Sequence, residues 1–110
     1  MKNINNFISK IERHLHGEFE KLIELNKLFI VLEVGNEINS EKPNLRNVIC
    51  FNIEGNVIWR IAIGQFIGHA PSPYSNIYIE NSKLYVYHPT GIELNIDPLT
   101  GNIISMELIK

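Results

Sequence analysis

The chain has 110 residues, 45% of them hydrophobic and 20% charged, with a formal net charge of −2. That length supports a single hydrophobic core, so residues 1–110 are read as one domain. Positions 1–46 balance in charge, and the acidic excess falls from Asn47 onward. No basic cluster or stripe is present to neutralise phosphates, which argues against nucleic acid as a partner. No apolar run approaches the ~18 residues of a membrane span. Residues 1–16 lack the apolar core of a signal peptide, so the expected location is the cytoplasm, away from the membrane. Cys50 is the only cysteine; it cannot form an intrachain disulfide and reads as a small buried hydrophobe.

Ile4, Phe7, Ile8, Ile11 and Leu15 recur at helical spacing, predicting an amphipathic helix over 3–15 within an N-terminal segment 1–16. Asn3 or Asn5 could cap it. Gly17 argues against continuation, because an interior Gly costs about 1 kcal/mol relative to Ala. A strand over 19–25 and another over Leu28–Val34 then flank the two-residue turn Asn26-Lys27. Gly35–Arg46 has no periodicity and reads as a long loop, a common place for interaction sites. Asn47–Ile63 carries the strongest hairpin signal, two β-branched and aromatic runs around Glu54-Gly55-Asn56. Its first run is apolar on both sides, which predicts a central strand covered on both faces. Val57, Trp59, Ile61 and Ile63 share one face of its second run.

Gly64–Pro73, with two Gly and two Pro, divides the chain. Asn76–Glu80, Lys83–His88, Gly91–Ile96 and Asn102–Ile109 read as four more strands. The halves echo each other: Leu22–Val31 is similar to Ile77–Val86, and Phe51–Ile58 is similar to Leu94–Ile104 with Pro98-Leu99-Thr100 inserted. The expected fold is therefore mainly β: two four-stranded antiparallel meanders, 18–63 and 74–109, packed face to face. The short N-terminal α-helix is expected over an edge or end.

The stretch N-V-I-C-F-N-I-E-G-N-V-I-W, with Y-V-Y-H-P-T-G-I-E-L-N-I-D-P-L-T-G-N-I-I downstream, resembles blades of the pyrroloquinoline-quinone-type β-propeller. The turn Asp97-Pro-Leu-Thr-Gly101 and the exit to Trp59 match that usage. Two blades are too few for a closed propeller. The chain is thus similar to small stand-alone bacterial proteins built from such strands, many of them immunity proteins encoded beside toxins. The resemblance implies a non-enzymatic protein that occludes a cognate, basic toxin domain. The alternative is a ligand-binding or structural module with no toxin partner.

No catalytic or metal set competes with that expectation. His14 and His16 point apart on a helix and lack further ligands nearby. His69 and His88 have no nucleophile-bearing turn to serve, Ser72 lies between two prolines, and Asp97 reads as the Asx residue of its own turn. No cofactor is expected. The candidate partner-binding surface is aromatic: Tyr74, Tyr78, Tyr85 and Tyr87, bordered by Glu80 and Glu93. The second sheet would show these tyrosines on the face opposite its aliphatic set, or hide them under the helix. The Gly64–Pro73 loop is a second contact candidate. Free edge strands allow a monomer or a homodimer.

Overall fold

The computed structural model describes residues 4–35, 43–64, 66, 68 and 70–109. One helix, α1 (Ile4–Glu12), precedes eight strands: β1 (Phe19–Leu25), β2 (Leu28–Glu33), β3 (Val48–Phe51), β4 (Val57–Arg60), β5 (Asn76–Glu80), β6 (Lys83–His88), β7 (Ile92–Ile96) and β8 (Ile103–Leu108). They form two antiparallel meanders in chain order, β1-β2-β3-β4 and β5-β6-β7-β8. The molecule is mainly β, as the sequence predicts. Most of the Gly35–Arg46 loop, Asn3 as a cap, and His69 with Gln65 and Ile67 lie outside the described residues.

The turns carry the chemistry that the hairpins need. Asn26 and Lys27 have φ of 50° and 65°, and Asn81 and Ser82 have 51° and 61°. Two successive positive φ values define the tight reversal whose twist matches the flanking strands. Corresponding positions also pair alike across the two hairpins: Leu22 faces Val31, and Ile77 faces Val86. Gly55 and Gly101 repeat this agreement in the other hairpins, at φ +84° and +78°. A side chain at Gly101 would fall 2.6 Å from Cδ2 of Trp59. The indole, whose Nε1 donates to the Pro98 carbonyl at 2.8 Å, lies directly under that turn.

The two sheets meet through apolar faces, as expected, but not through equivalent ones. Ile30, Leu32, Val48, Cys50, Trp59 and Ile61 of the first sheet pack against Ile77, Leu84, Val86, Leu94 and Ile96 of the second. Phe29, Val31, Ile49 and Phe51, on the opposite face of the first sheet, pack against Phe7 and Ile11 of α1. Sequence-equivalent positions therefore look the same way in both sheets: Phe29 and Val31 face the helix, and their counterparts Leu84 and Val86 face the first sheet. The sheets stack head to tail. This explains why β3 is buried along its whole length: it is central in its sheet, and the sheet is the middle layer of three. It also moves the helix from the expected edge or end onto the outer face of the first sheet.

Two polar clusters lock the layers. Asn47, fully buried, donates from Nδ2 to the carbonyls of Glu33 (3.1 Å) and Tyr74 (2.8 Å), and its Oδ1 accepts from Tyr74 N at 2.8 Å. One side chain thus stands in for a strand neighbour between the two halves. Glu33, 1% exposed, accepts from Arg60 Nη1 at 2.8 Å, Asn44 Nδ2 at 3.0 Å and His16 N at 2.6 Å. Arg60 Nη2 also donates to His14 O at 3.0 Å. This buried ion pair fastens the segment after α1, which ends at Glu12 and not at the expected Leu15.

Candidate functional site

The far face of the second sheet is built by alternation. With Ile77, Leu84, Val86, Leu94 and Ile96 turned inward and buried, the residues between them must face outward. The register sets them in rows. Asn76, Tyr87, Glu93 and Glu107 form one row across the four strands; Tyr78, Tyr85, Asn95 and Ser105 form the next. Glu80 and Lys83 pair at the hairpin end. Tyr78 stacks on Tyr85 with ring centroids 5.2 Å apart and planes 19° from parallel. The Tyr78 hydroxyl donates to Glu93 Oε2 across β6, so two rings and a carboxylate are held in one arrangement.

This surface is half-buried aromatic and acidic. Tyr78, Tyr85, Tyr87 and Glu93 are half-buried, whereas Glu80, Lys83 and Glu107 are exposed. Three carboxylates, Glu80, Glu93 and Glu107, accompany one ammonium, Lys83. Lys21 of β1 reaches the border, its Nζ donating to Asn76 Oδ1 at 3.1 Å. Because α1 sits on the first sheet, it does not cover these tyrosines. Chemically, the face offers flat rings for apolar or cation–π contact, with carboxylates beside them for cations.

Tyr74 does not belong to it. It is 3% exposed and lies in the core between the sheets, its hydroxyl donating to Ala62 O at 2.8 Å and its ring edge-on to His88. Burial pushes its phenol up to about 12. The sequence grouped it with the other tyrosines because Ser-Pro-Tyr-Ser precedes β5 and carries no alternation signal. Glu93, expected at the border, is central through its bond to Tyr78. Glu80 stays at the rim.

The remaining candidate groups have structural settings. Cys50 is fully buried, and burial pushes its thiol up to about 12, the reverse of an activated nucleophile. Asp97 Oδ1 accepts from Leu99 N at 2.9 Å, the Asx turn expected there. His88 is buried beside Phe66 and Tyr74, its Nδ1 2.8 Å from Thr90 Oγ1. Among the described residues, no three His, Cys, Asp or Glu gather closely enough to hold a metal ion. A cleft of about 340 Å³ between Glu20, Val34, Gly35, Ser72, Pro73 and Ser75 opens at the rim of the sheets. Between the sheets, apolar side chains of both meet in one core cluster. No described helix is long and apolar enough to cross a membrane.

The sequence did not single out one further surface. Ile103, Ile104, Met106 and Leu108 on β8 are 44%, 62%, 58% and 63% exposed. An apolar strand of a meander looks like a core strand in sequence, and only the assembled layers show that nothing in the first sheet reaches over it.

The fold and its surfaces define a three-layer α/β/β stack, sealed by a helix at one end and showing an aromatic, acidic sheet face at the other. A family model for a domain of unknown function, DUF7957, matches residues 6–108, and the chain belongs to that family. No curated protein and no solved structure matches it.

Proposed function

We propose that this chain is a cytoplasmic, non-enzymatic immunity-type protein that neutralises a toxin domain by docking on the outer face of its second sheet. The observation that carries the reading is the uncovered Tyr78–Tyr85 stack with Glu93 fixed beside it. In the head-to-tail arrangement, this face corresponds to the one that the first sheet buries against the second. It is the position where a further layer would pack. Tyrosines replace the aliphatic residues at those positions: Tyr85 and Tyr87 stand where the first sheet has Ile30 and Leu32. A wettable aromatic surface suits a partner that binds after both chains have folded. The carboxylates favour a basic partner through steering and register, consistent with a toxin domain whose active surface binds an anionic substrate.

The test is growth of cells expressing the toxin domain encoded beside this chain. Growth should be arrested by the toxin alone and restored when this chain is co-expressed. Restoration should be lost with Tyr78→Ala plus Tyr85→Ala. Arrest that this chain leaves undiminished would refute the reading.

A further inference from the structure

The exposed apolar edge at β8 has no part in that reading. Met106 and Leu108 stand opposite Leu94 and Ile92 in the register, on the face turned toward the first sheet. They are nevertheless 58% and 63% exposed, because the cover ends over β7, where Leu94 and Ile96 are fully buried. Beyond β8 the sheet stops. Ile109 N donates to Gly91 O at 2.6 Å, and bonding alternates along an antiparallel ladder. Ser105 and Glu107 therefore spend their backbone groups on β7, while Met106 and Leu108 direct theirs to the open edge; Ile104 lies at the register shift opposite Asn95 and Ile96, where the alternation is interrupted.

We propose that this edge pairs with the same edge of a second copy, antiparallel, about a two-fold axis through Met106. Backbone phase and side-chain chemistry agree on that register. It sets Met106, whose N–H and C=O groups point outward, against Met106 of the second copy, and Ile104 against Leu108. It sets Ser105 against Glu107, polar against polar. An axis at Glu107 would oppose two carboxylates directly, which is destabilising, and an axis at Ser105 would place Ile103 against Glu107.

The edge offers a large part of the area that a stable pair needs. The exposed fractions of Ile103, Ile104, Met106, Leu108 and Ile109 amount to about 500 Å² of apolar surface per copy, against ~800 Å² per partner in a standard interface. Ser105, Glu107 and the bare edge backbone supply much of the remainder. Self-pairings through the tyrosine face are disfavoured. α1 occupies the face of the first sheet that a tyrosine face would meet in a head-to-tail stack, and two tyrosine faces together would oppose their carboxylates. The β8 pairing joins the second sheets into one eight-stranded sheet and leaves both tyrosine faces on the same side of it. It stands whether or not those faces bind a toxin.

Sedimentation velocity on the purified chain tests the pairing. Wild type should sediment at twice the mass of the 12.7 kDa chain at micromolar concentrations. Met106→Lys, at an exposed position, should dissociate at least tenfold more readily with an unchanged circular dichroism spectrum. Under mild oxidation Met106→Cys should form a covalent dimer, since directly bonded antiparallel residues have Cα atoms about 5.5 Å apart, within disulfide range. Leu108→Cys should link poorly, because it faces Ile104 of the second copy. A wild type that stays monomeric at 100-fold higher concentration overturns the proposal. So does a dimer that Met106→Lys leaves intact, or Leu108→Cys linking as readily as Met106→Cys.

Discussion

Replacing Asn47 with Ala removes the one side chain that bonds the two halves together through the backbone of Tyr74. The amide accepts from Tyr74 N and donates to Tyr74 O, both at 2.8 Å. Both residues are buried, with Tyr74 at 3% exposure and Asn47 at 0%. An N–H and a carbonyl are then left in the core without this partner, each costing about 1–3 kcal/mol. We expect a total loss of about 3–5 kcal/mol, a large part of the 5–15 kcal/mol typical of a domain. For a chain of this size, about 4 °C in Tm accompanies each kcal/mol, so melting should fall by about 12–20 °C. Urea unfolding followed by the fluorescence of Trp59, with calorimetry beside it, measures both quantities. Asn47→Asp sharpens the test. It keeps the size and the acceptor for Tyr74 N but turns carboxylate oxygen toward the carbonyls of Tyr74 and Glu33, and should be at least as damaging as Ala. An Asn47→Ala protein within 1 kcal/mol of wild type would refute the reasoning.

Other consequences follow from the same packing. Gly101→Ala combines a left-handed φ of +78° with a Cβ 2.6 Å from the indole of Trp59; a loss of about 2 kcal/mol or more is expected in the same unfolding assay. Arg60→Ala strands the Glu33 carboxylate, buried at 1% exposure, and should cost about 3–5 kcal/mol. Glu33→Gln together with Arg60→Met should cost less than Arg60→Ala alone. Cys50 should react with a thiol reagent only when the protein unfolds. Its thiol ionises near 9.0 when unfolded and near 12 in the fold, and the Tyr74 phenol moves from 10.0 to about 12. Above pH 9 the unfolded chain therefore binds fewer protons than the native one, and stability falls as pH rises toward 12. Cys50→Val should remove the earlier part of that decline, leaving the part that begins near pH 10.

Alternation and turn chemistry made most of this fold legible. Asn26-Lys27, Asn81-Ser82, Gly55 and Gly101 mark the hairpin reversals, whereas the helix ends at Glu12, before the expected Leu15 and well before Gly17. The turn signals are local, and local backbone preference decided them. What remained hidden was the mutual arrangement of surfaces that alternation defines but does not assign. The pattern of Ile49 and Phe51 against Val48 and Cys50 says that both faces of β3 are covered. It does not say that α1 covers one and the second sheet the other. The same limit concealed the head-to-tail stacking and the exposure of Met106 and Leu108, whose apolar character is that of any core strand. Within the candidate site, Tyr78, Tyr85 and Tyr87 followed from period-two alternation. Tyr74 precedes the strand, where no such rule holds, and its burial depends on a bond to Asn47 from the other half of the chain.

The proposed docking face is tested most directly by titrating the proposed partner, a toxin domain sought in the neighbouring genes, into wild type, Tyr85→Ala and Met106→Lys by calorimetry. Binding should weaken at least tenfold with Tyr85→Ala, where truncation removes one ring of the stack, and persist with Met106→Lys at an unchanged affinity per site. Affinity that survives Tyr85→Ala and is lost with Met106→Lys would place the partner on the β8 edge and contradict the assignment; no heat of binding with any of the three proteins would remove the partner altogether.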